Sequence, residues 1–230
     1  MNEISVLIPA YGEGRNLPKL ITTLKKTLSS ENSEIIIIND GNSDGSFEVI
    51  KELETRYSGV KGLFSNIRRG KTEAIRDGFK VAKGDIIVIM DADLQYLSED
   101  IHKLIAALNY ADVANGLRAH RKDSTLRKIE SRVYNSLVGL LFNVALKDCN
   151  SGFKVFRRKV LEETVDQLRD GWHRYLLVLA IKKGYHVVDI PIRHNSRKAG
   201  RSKFSSSPLK LIKGFSDLLS VKMFVSQHKR

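Results

Sequence analysis

Short apolar runs alternate with amphipathic segments along the first 110 residues of the chain. The runs are rich in isoleucine and valine and lack a polar face, which is typical of parallel strands buried on both faces. The segments between them carry apolar residues at helical spacing, as Leu17, Leu20, Ile21 and Leu24 do. This alternation predicts an α/β fold with a doubly wound, mostly parallel sheet and helices on both faces. The predicted strands are Ile4–Pro9, Glu34–Asn39, Val60–Ser65 and Ile86–Met90.

The second half of the chain continues this pattern less regularly. A long helix is predicted over Ser124–Leu146, and further strands are predicted at Asp112–Leu117 and His186–Pro191. Pro208 suits the first turn of a last helix. Because the chain never returns to a second set of strand and helix repeats, we expect a single domain.

The last helix has an apolar stripe and basic residues opposite, so it is predicted to be amphipathic. We divide the chain into a domain over 1–206 and this helix over 207–230. The helix either packs on the domain or lies in a membrane interface. The stripe consists of Leu209, Ile212, Phe215, Leu219 and Met223.

Composition narrows the class of protein. A chain of 230 residues suits one α/β domain with a sizeable core. Cys149 is the only cysteine, so no disulfide framework is possible and a reducing compartment is expected. The start of the chain runs directly into a strand and does not resemble a signal peptide. No apolar run reaches the roughly 18 residues of a membrane-spanning helix.

The charge of the chain is concentrated in its second half. Residues 1–115 carry 14 Lys and Arg against 17 Asp and Glu, whereas residues 116–230 carry 25 against 9. A basic half of this kind favours anionic partners, which include nucleic acid, phosphorylated substrates and acidic membranes. A solvated basic face accounts for part of the charge under any of these interpretations.

The most informative stretch is GDIIVIMDADLQ, residues 84–95. Asp91 and Asp93 follow the most apolar strand, and ligands of open α/β sheets bind beyond the carboxyl ends of the strands. Two carboxylates one residue apart can share a hard cation that carries phosphates. The alternative is a solvated acidic turn. The context of the strand favours the metal site.

Two other strand ends carry candidate residues. Asp40 follows the second strand and could accept a hydrogen bond from the base or ribose of a nucleotide. Alternatively Asp40 caps the next helix, a role that Ser43 or Asp44 could also fill. Lys71 follows a glycine at a helix start, which suits phosphate binding, although simple solvation of that loop explains it equally well.

The basic half contains a candidate anion site of its own. Arg118 stands just past a strand, and Arg132 and Ser136 lie four residues apart on one face of the long helix. Together they could bind a phosphate, or they could be separate surface residues. Residues 193–206 form a long loop dense in Arg, Lys, Ser and Gly, which suits a diphosphate.

Taken together, these motifs resemble the family-two glycosyltransferases, which have the glycosyltransferase A fold. The closest resemblance is to the dolichyl-phosphate mannose synthase and polyprenyl-phosphate glycosyltransferase branch, over about residues 3–220. Many members of that branch continue with transmembrane helices at about the point where this chain stops, so both a soluble form and a shortened chain are open. The motifs that carry the resemblance are SVLIPAYGE, IIIINDGNSDGS, NIRRGKTEAIRDGF, GDIIVIMDADLQ, NSGFKVF and RKAGRSK.

The resemblance implies a role for each matching residue. Pro9, Tyr11, Glu13 and Asp40 contact the nucleotide of a nucleotide sugar. Asp91, Asp93 and Gln95 hold Mg²⁺ or Mn²⁺, directly or through the diphosphate. Arg118, Arg132 and Ser136 handle the phosphate of the acceptor. Arg197 and Lys203 close a loop over the donor diphosphate.

The implied activity is an inverting, metal-dependent transfer of a hexose to a polyprenyl phosphate such as dolichyl phosphate. The expected donor is GDP-mannose, with UDP-glucose or another UDP-sugar as the alternative. The basic half and the amphipathic helix predict a peripheral protein on the cytoplasmic face of an anionic membrane. A nucleic-acid-binding module is the rival interpretation, but no stacking platform or recognised nucleic-acid motif supports it.

The resemblance also implies a phosphate acceptor. Relatives that act on a hydroxyl usually carry an acidic general base at the start of a helix late in the domain, and the matching stretch here is Trp172–Tyr175. The stretch Trp172–Tyr175 holds no carboxylate, and Asp170 lies just before it. A hydroxyl acceptor needs such a base, whereas a phosphate monoester, with a second pKa of about 6, is already largely dianionic. The alternative is that His173 or Asp170 serves as a base for a hydroxyl.

Overall fold

The computed structural model describes residues 3–41, 44–119, 125–195 and 208–227 of the chain. Within these ranges the backbone forms one seven-stranded sheet covered by helices on both faces. The strands are β1 Ile4–Ala10, β2 Ser33–Asp40, β3 Val60–Ser65, β4 Ile86–Met90, β5 Val113–Ala119, β6 Phe153–Arg157 and β7 Val187–Arg193. The helices are α1 Leu17–Thr27, α2 Ser46–Arg56, α3 Lys71–Val81, α4 Ile101–Ala107, α5 Thr125–Phe142, α6 Arg158–Thr164, α7 Leu176–Lys182 and α8 Pro208–Gln227.

The strand order is β3-β2-β1-β4-β6-β5-β7. Strand β6 runs antiparallel to both of its neighbours, β4 and β5, and every other pairing is parallel. The carboxyl ends of β1, β2, β4 and β5 therefore meet at one edge of the sheet, and the start of β6 arrives among them. This arrangement confirms the predicted doubly wound, mostly parallel sheet.

Two apolar cores lie on opposite faces of the sheet. One core packs α1, α2 and α4 against residues such as Val6, Ile37 and Val88. The other packs α3, α5, α6, α7 and α8 against residues such as Leu7 and Ile89. All five residues of β4 are buried, because a central strand that is covered on both faces has no polar side.

Helix α5 is shorter than the sequence pattern predicts. It ends at Phe142, whereas the apolar periodicity continues to Leu146. Asn143 adopts a left-handed conformation with φ of 50°, which asparagine tolerates better than most residues and which stops a helix. The predicted end was wrong because Leu146 belongs to the loop after α5, although its side chain is buried in the core like those of the helix.

Helix α8 packs on the rest of the domain through Leu218, Val221 and Val225. Phe224 meets Trp172 edge to face, with ring centroids 5.5 Å apart. Two members of the expected stripe, Leu219 and Met223, are exposed and do not belong to the buried face. The interfacial role of 207–230 stays a prediction. No helix within the described ranges has the length and apolarity to cross a bilayer.

Candidate active site

The two carboxylates that follow β4 lie at the centre of the edge where the strands end. Asp91 is partly exposed and Asp93 is buried. The Lys71 ammonium donates to Asp91 Oδ1 and forms an ion pair with it. The first turn of α3 and the end of β4 are therefore joined by opposite charges, and Lys71 lies within the site as expected.

Asp91 is fitted against the backbone at Gly152. The Asp91 amide donates to the Gly152 carbonyl at 3.1 Å, and a methyl group at Gly152 would overlap the Asp91 carboxylate. The Gly152 amide in turn donates to the Tyr96 hydroxyl at 2.7 Å. Gly152 is needed here because the turn before β6 lies directly against the acidic side chain.

A strained turn sets the direction of Gln95. Leu94 has a φ of 58°, which is rare for a residue other than glycine. The Gln95 amide donates to Asp93 Oδ1 at 3.1 Å, and its Nε2 donates to the Asn195 carbonyl at 3.2 Å. Asn195 also donates its amide to the Gln95 carbonyl at 2.8 Å. These hydrogen bonds hold Asn195, in the segment after β7, next to Asp91 and Asp93.

These groups fit a hard divalent cation. Asp91 and Asp93 offer carboxylate oxygens. The side-chain oxygen of Gln95 can also bind a cation, because the hydrogen bond of this side chain to Asn195 uses Nε2. In the described part of the chain, no three His, Cys, Asp or Glu side chains converge as a metal site. A cation would therefore take one or two carboxylates and complete its shell with water and substrate oxygens, which is the usual environment of Mg²⁺.

Asp40 organises the loop that precedes α3. Its Oδ1 accepts the Arg69 amide at 2.6 Å, and its Oδ2 accepts the Gly70 amide at 2.8 Å. The alternative that Asp40 caps α2 is wrong, since Asp44 makes the bonds to the Ser46 amide and hydroxyl. Asp40 thus holds the loop that carries Lys71, at the same edge of the sheet as Asp91.

The residues expected to contact a nucleotide lie at the ends of β1 and β2. Tyr11 lies beneath the Arg68 guanidinium, 4.3 Å from the ring centroid. Glu13 accepts a hydrogen bond from Asn16 Nδ2 at 2.6 Å. Pro9, Tyr11 and Glu13 are all partly exposed. The structure brings them together with Asp40, although their contact with a nucleotide stays a prediction.

His173 packs against Thr72 in the first turn of α3. Its Nδ1 lies 3.1 Å from the Thr72 hydroxyl, and its amide donates to that hydroxyl at 3.3 Å. Burial, followed by the charges of Lys71, Arg174 and Lys154, lowers the pKa of His173 well below its usual value. An imidazole surrounded by cations has little affinity for a proton, so His173 is poorly suited to act as a general base.

Arg118 forms a bidentate pair with Asp148. Nε and Nη2 of Arg118 each donate to one oxygen of Asp148 at 2.7 Å, and the exposed fractions of the two side chains are 12% and 4%. Arg118 is therefore not a simple surface arginine. Arg132 and Ser136 are exposed on α5.

Lys154 is a buried lysine beneath the site that sequence analysis missed. It lies on β6, and its ammonium donates to the Ser151 carbonyl. Burial, followed by the charge of Lys71, lowers its pKa to about 8. The motif NSGFKVF contains Lys154, but the sequence alone does not indicate whether a lysine in an apolar strand is buried or exposed. Arg197 and Lys203 lie outside the described residues, so their role stays a prediction.

A model of the family described as "Glycosyl transferase family 2" matches residues 5–165. The chain belongs to glycosyl transferase family 2. It is 32% identical over 206 residues to an undecaprenyl-phosphate 4-deoxy-4-formamido-L-arabinose transferase from Aeromonas hydrophila, with 87% of this chain and 62% of that enzyme covered. It is 30% identical to the enzyme of the same name from Pseudomonas fluorescens, with 94% and 64% covered. This glycosyltransferase chain thus spans a little under two thirds of these curated relatives.

Solved structures share the fold of this family 2 glycosyltransferase. The mannosyltransferase PcManGT from Pyrobaculum calidifontis, in complex with GDP-Man and Mn²⁺, aligns with a TM-score of 0.65 at 14% identity and covers 97% of this chain and 72% of its own. Glucosyl-3-phosphoglycerate synthase from Mycobacterium tuberculosis, in complex with Mn²⁺ and UDP-glucose, aligns with a TM-score of 0.68 at 17% identity. This alignment covers 96% of the present chain and 78% of the synthase chain. The expected glycosyltransferase A fold is confirmed, and both neighbours were solved with the expected type of metal.

The fit between Gly152 and Asp91 can be tested with the variant Gly152→Ala. The added methyl must displace the Asp91 carboxylate, and overpacking of this kind typically costs about 1–3 kcal/mol. We expect the affinity for Mn²⁺ with a nucleoside diphosphate to fall at least tenfold, measured by titration calorimetry. Gly214→Ala is the control, because a methyl at Gly214 meets open space. Equal affinities for the two variants would contradict the assignment.

Proposed function

We propose that this glycosyltransferase moves one sugar from a nucleoside-diphosphate sugar to a polyprenyl monophosphate, with inversion at the anomeric carbon. The observation that carries the proposal is the composition of the crevice. Asp91 and Asp93 lie at the end of β4, and Lys71 pairs with Asp91. The turn before β6 adds two further cations, because Lys154 binds its Ser151 carbonyl and Arg118 pairs with its Asp148. Such a crevice suits phosphate groups on both substrates.

The donor half of the site comprises Asp91, Asp93, Gln95 and Lys71. A divalent cation bound there supplies a Lewis acid for the charge that develops on the departing diphosphate. Lys71 adds positive charge at the first turn of α3, where backbone amides also favour an anion. Asp40 keeps Lys71 in this place through its two hydrogen bonds to the preceding loop.

The acceptor half favours a nucleophile that is already ionised, because His173 is poorly suited to act as a base. Asp170, whose Oδ1 lies 3.4 Å from the position of a Cβ at Gly70, stays the alternative base for a hydroxyl acceptor. His173 is neutral with a lowered pKa, and the Asp148 carboxylate is engaged with Arg118. An oxygen of a phosphate dianion can attack the anomeric carbon while the bond to the diphosphate breaks, without loss of a proton from the acceptor. The printed names of the curated relatives, which specify undecaprenyl phosphate, support this acceptor class.

The identity of the sugar is a finer prediction. GDP-mannose is the donor expected from the sequence, and UDP-glucose or another UDP-sugar is the alternative. The fold is compatible with both, since neighbours with GDP-Man and with UDP-glucose align equally well. The curated relatives name a formamido-arabinose, which adds a pentose derivative to the donors to be compared.

The metal role can be tested with Asp93→Asn. The amide keeps the size of the side chain but removes a charge from the proposed cation site, so we expect at least a 100-fold loss of sugar transfer with an unchanged unfolding temperature. Transfer of labelled sugar to a short-chain polyprenyl phosphate is the measurement. Asp85→Asn, at an exposed position just before β4, is the control. Full activity of Asp93→Asn, or of the wild type in excess chelator, would refute the metal site.

The phosphate role of α5 can be tested with Arg132→Ala. Arg132 is exposed, so its removal should leave the fold intact. We expect the KM for polyprenyl phosphate to rise about tenfold because one charge-assisted contact is lost, while the KM for the donor stays the same. Lys182→Ala removes an exposed cation at the end of the otherwise buried helix α7 and serves as the control. A normal KM for the acceptor in Arg132→Ala would exclude this arginine from the site.

We propose that α5 and α8 together face the membrane that holds the acceptor. The two helices are in contact, as the Lys222 ammonium donates to the Leu141 carbonyl. They also carry most of the exposed large apolar side chains in the described part of the chain. These are Ile129, Val133, Leu140, Leu219 and Met223. Apolar side chains beside basic residues suit the interface of an anionic bilayer.

The membrane surface can be tested with Leu140→Glu combined with Met223→Glu. Both side chains are at least 65% exposed, so the substitutions spare the core. We expect the wild type to sediment with anionic vesicles and more weakly with neutral ones, and the double variant to lose most of this binding. Tyr110→Glu, at an exposed aromatic residue on another part of the surface, is the control. Failure of the wild type to bind either vesicle would refute the surface.

A further inference from the structure

Lys154 occupies an unusual place for a lysine. In the sheet it lies between Ile89 of β4 and Asn115 of β5, and only 5% of it is exposed. In the described part of the chain no carboxylate lies within ion-pair distance of its ammonium. The hydrogen bond to the Ser151 carbonyl is its one specific contact there. A buried ammonium without an ion pair is costly, so its presence calls for a reason.

The electrostatic surroundings of Lys154 point to the site above it. Burial and the neighbouring Lys71 disfavour its charge, whereas Asp148 and Asp91 favour it, and the balance lowers the pKa to about 8. Asp91 belongs to the donor half of the site, and Asp148 pairs with Arg118 in the acceptor half. Lys154 therefore lies within electrostatic reach of both halves.

The turn over residues 148–152 connects Lys154 to both halves. Asp148 begins the turn and binds Arg118, while Gly152 ends it and lies against Asp91. Lys154 binds the carbonyl of Ser151, which lies between these two residues. The buried hydrogen bond from Lys154 thus joins those that Asn115, Asn135 and Tyr96 make with this turn, and it holds the part that lies between the donor side and the acceptor side.

We propose that Lys154 is a positioning residue that holds this turn and thereby aligns Asp91 for the donor and Arg118 for the acceptor. The inference rests on the proposed function for the identity of the two substrates. It does not require Lys154 to touch either of them. A lysine suits this task because its apolar stem can be buried while its ammonium reaches the Ser151 carbonyl of the turn.

The decisive variant is Lys154→Met, which keeps the length of the side chain and removes the ammonium. Loss of the hydrogen bond leaves a buried carbonyl unpaired and destabilises the fold, whereas loss of a buried charge stabilises it. Because these effects oppose each other, we expect the unfolding temperature to change by about 3 °C or less. Activity should nevertheless fall, because the turn loses its fixed position.

The binding measurement uses Mn²⁺ with GDP and with UDP, in the absence of acceptor. We expect Lys154→Met to bind the preferred nucleotide about tenfold more weakly, and kcat/KM to fall at least tenfold for each substrate. Lys154→Gln, which can still donate to Ser151, should recover part of both losses. Lys159→Met, at an exposed lysine on α6, is the matched control and should behave as the wild type.

Other outcomes would overturn the inference. A large fall in unfolding temperature with unchanged nucleotide affinity would show that Lys154 only stabilises the fold. Loss on the donor side alone would show that the turn does not serve Arg118. If Lys154→Met does not fold, Lys154→Gln decides between the same results. If the wild type transfers no sugar to any polyprenyl phosphate, the proposed function fails, while nucleotide binding and acceptor binding still test the positioning role.

Discussion

The contact between Asp91 and the backbone of Gly152 is the constraint on which the rest of the site depends. It requires a residue without a side chain at the point where the antiparallel strand β6 begins, and it requires β6 to lie beside β4. This contact acts together with the hydrogen bonds that Gly152 forms with Tyr96 and Ser151 forms with Lys154, and Asp148 of the same turn pairs with Arg118 at the end of β5. The donor and acceptor halves that we propose for the site would therefore be joined by the short turn over residues 148–152.

In the absence of substrate, acidic and basic side chains of the site pair with one another. Lys71 binds Asp91 and Arg118 binds Asp148, so each of these two cations has an acidic partner. Pairing offsets part of the cost of desolvating these partly buried charges. A substrate phosphate or a bound cation must then compete with these partners, which favours ligands with full negative charge over neutral hydroxyl acceptors.

The sequence predicted those parts of the molecule that depend on local pattern. The run Ile86–Met90 followed by Asp91 and Asp93 was sufficient to predict a buried strand and an acidic site at its carboxyl end. Features that depend on distant contacts were not predicted. The direction of β6 could not be inferred because a five-residue apolar strand has the same pattern in either direction. The pairing of Arg118 with Asp148 joins residues 30 positions apart, and the burial of Lys154 follows only from that topology.

The proposed acceptor class is tested most directly by comparing acceptors that differ in whether they carry a phosphate group. Wild-type protein, Mn²⁺ and the donor that binds best are incubated with a short-chain polyprenyl phosphate, with the matching free polyprenol and with simple saccharides. We expect transfer to the polyprenyl phosphate alone, with the anomeric configuration of the sugar inverted in the product. Transfer to a saccharide or to the free polyprenol, without transfer to the phosphate, would contradict the proposed acceptor class.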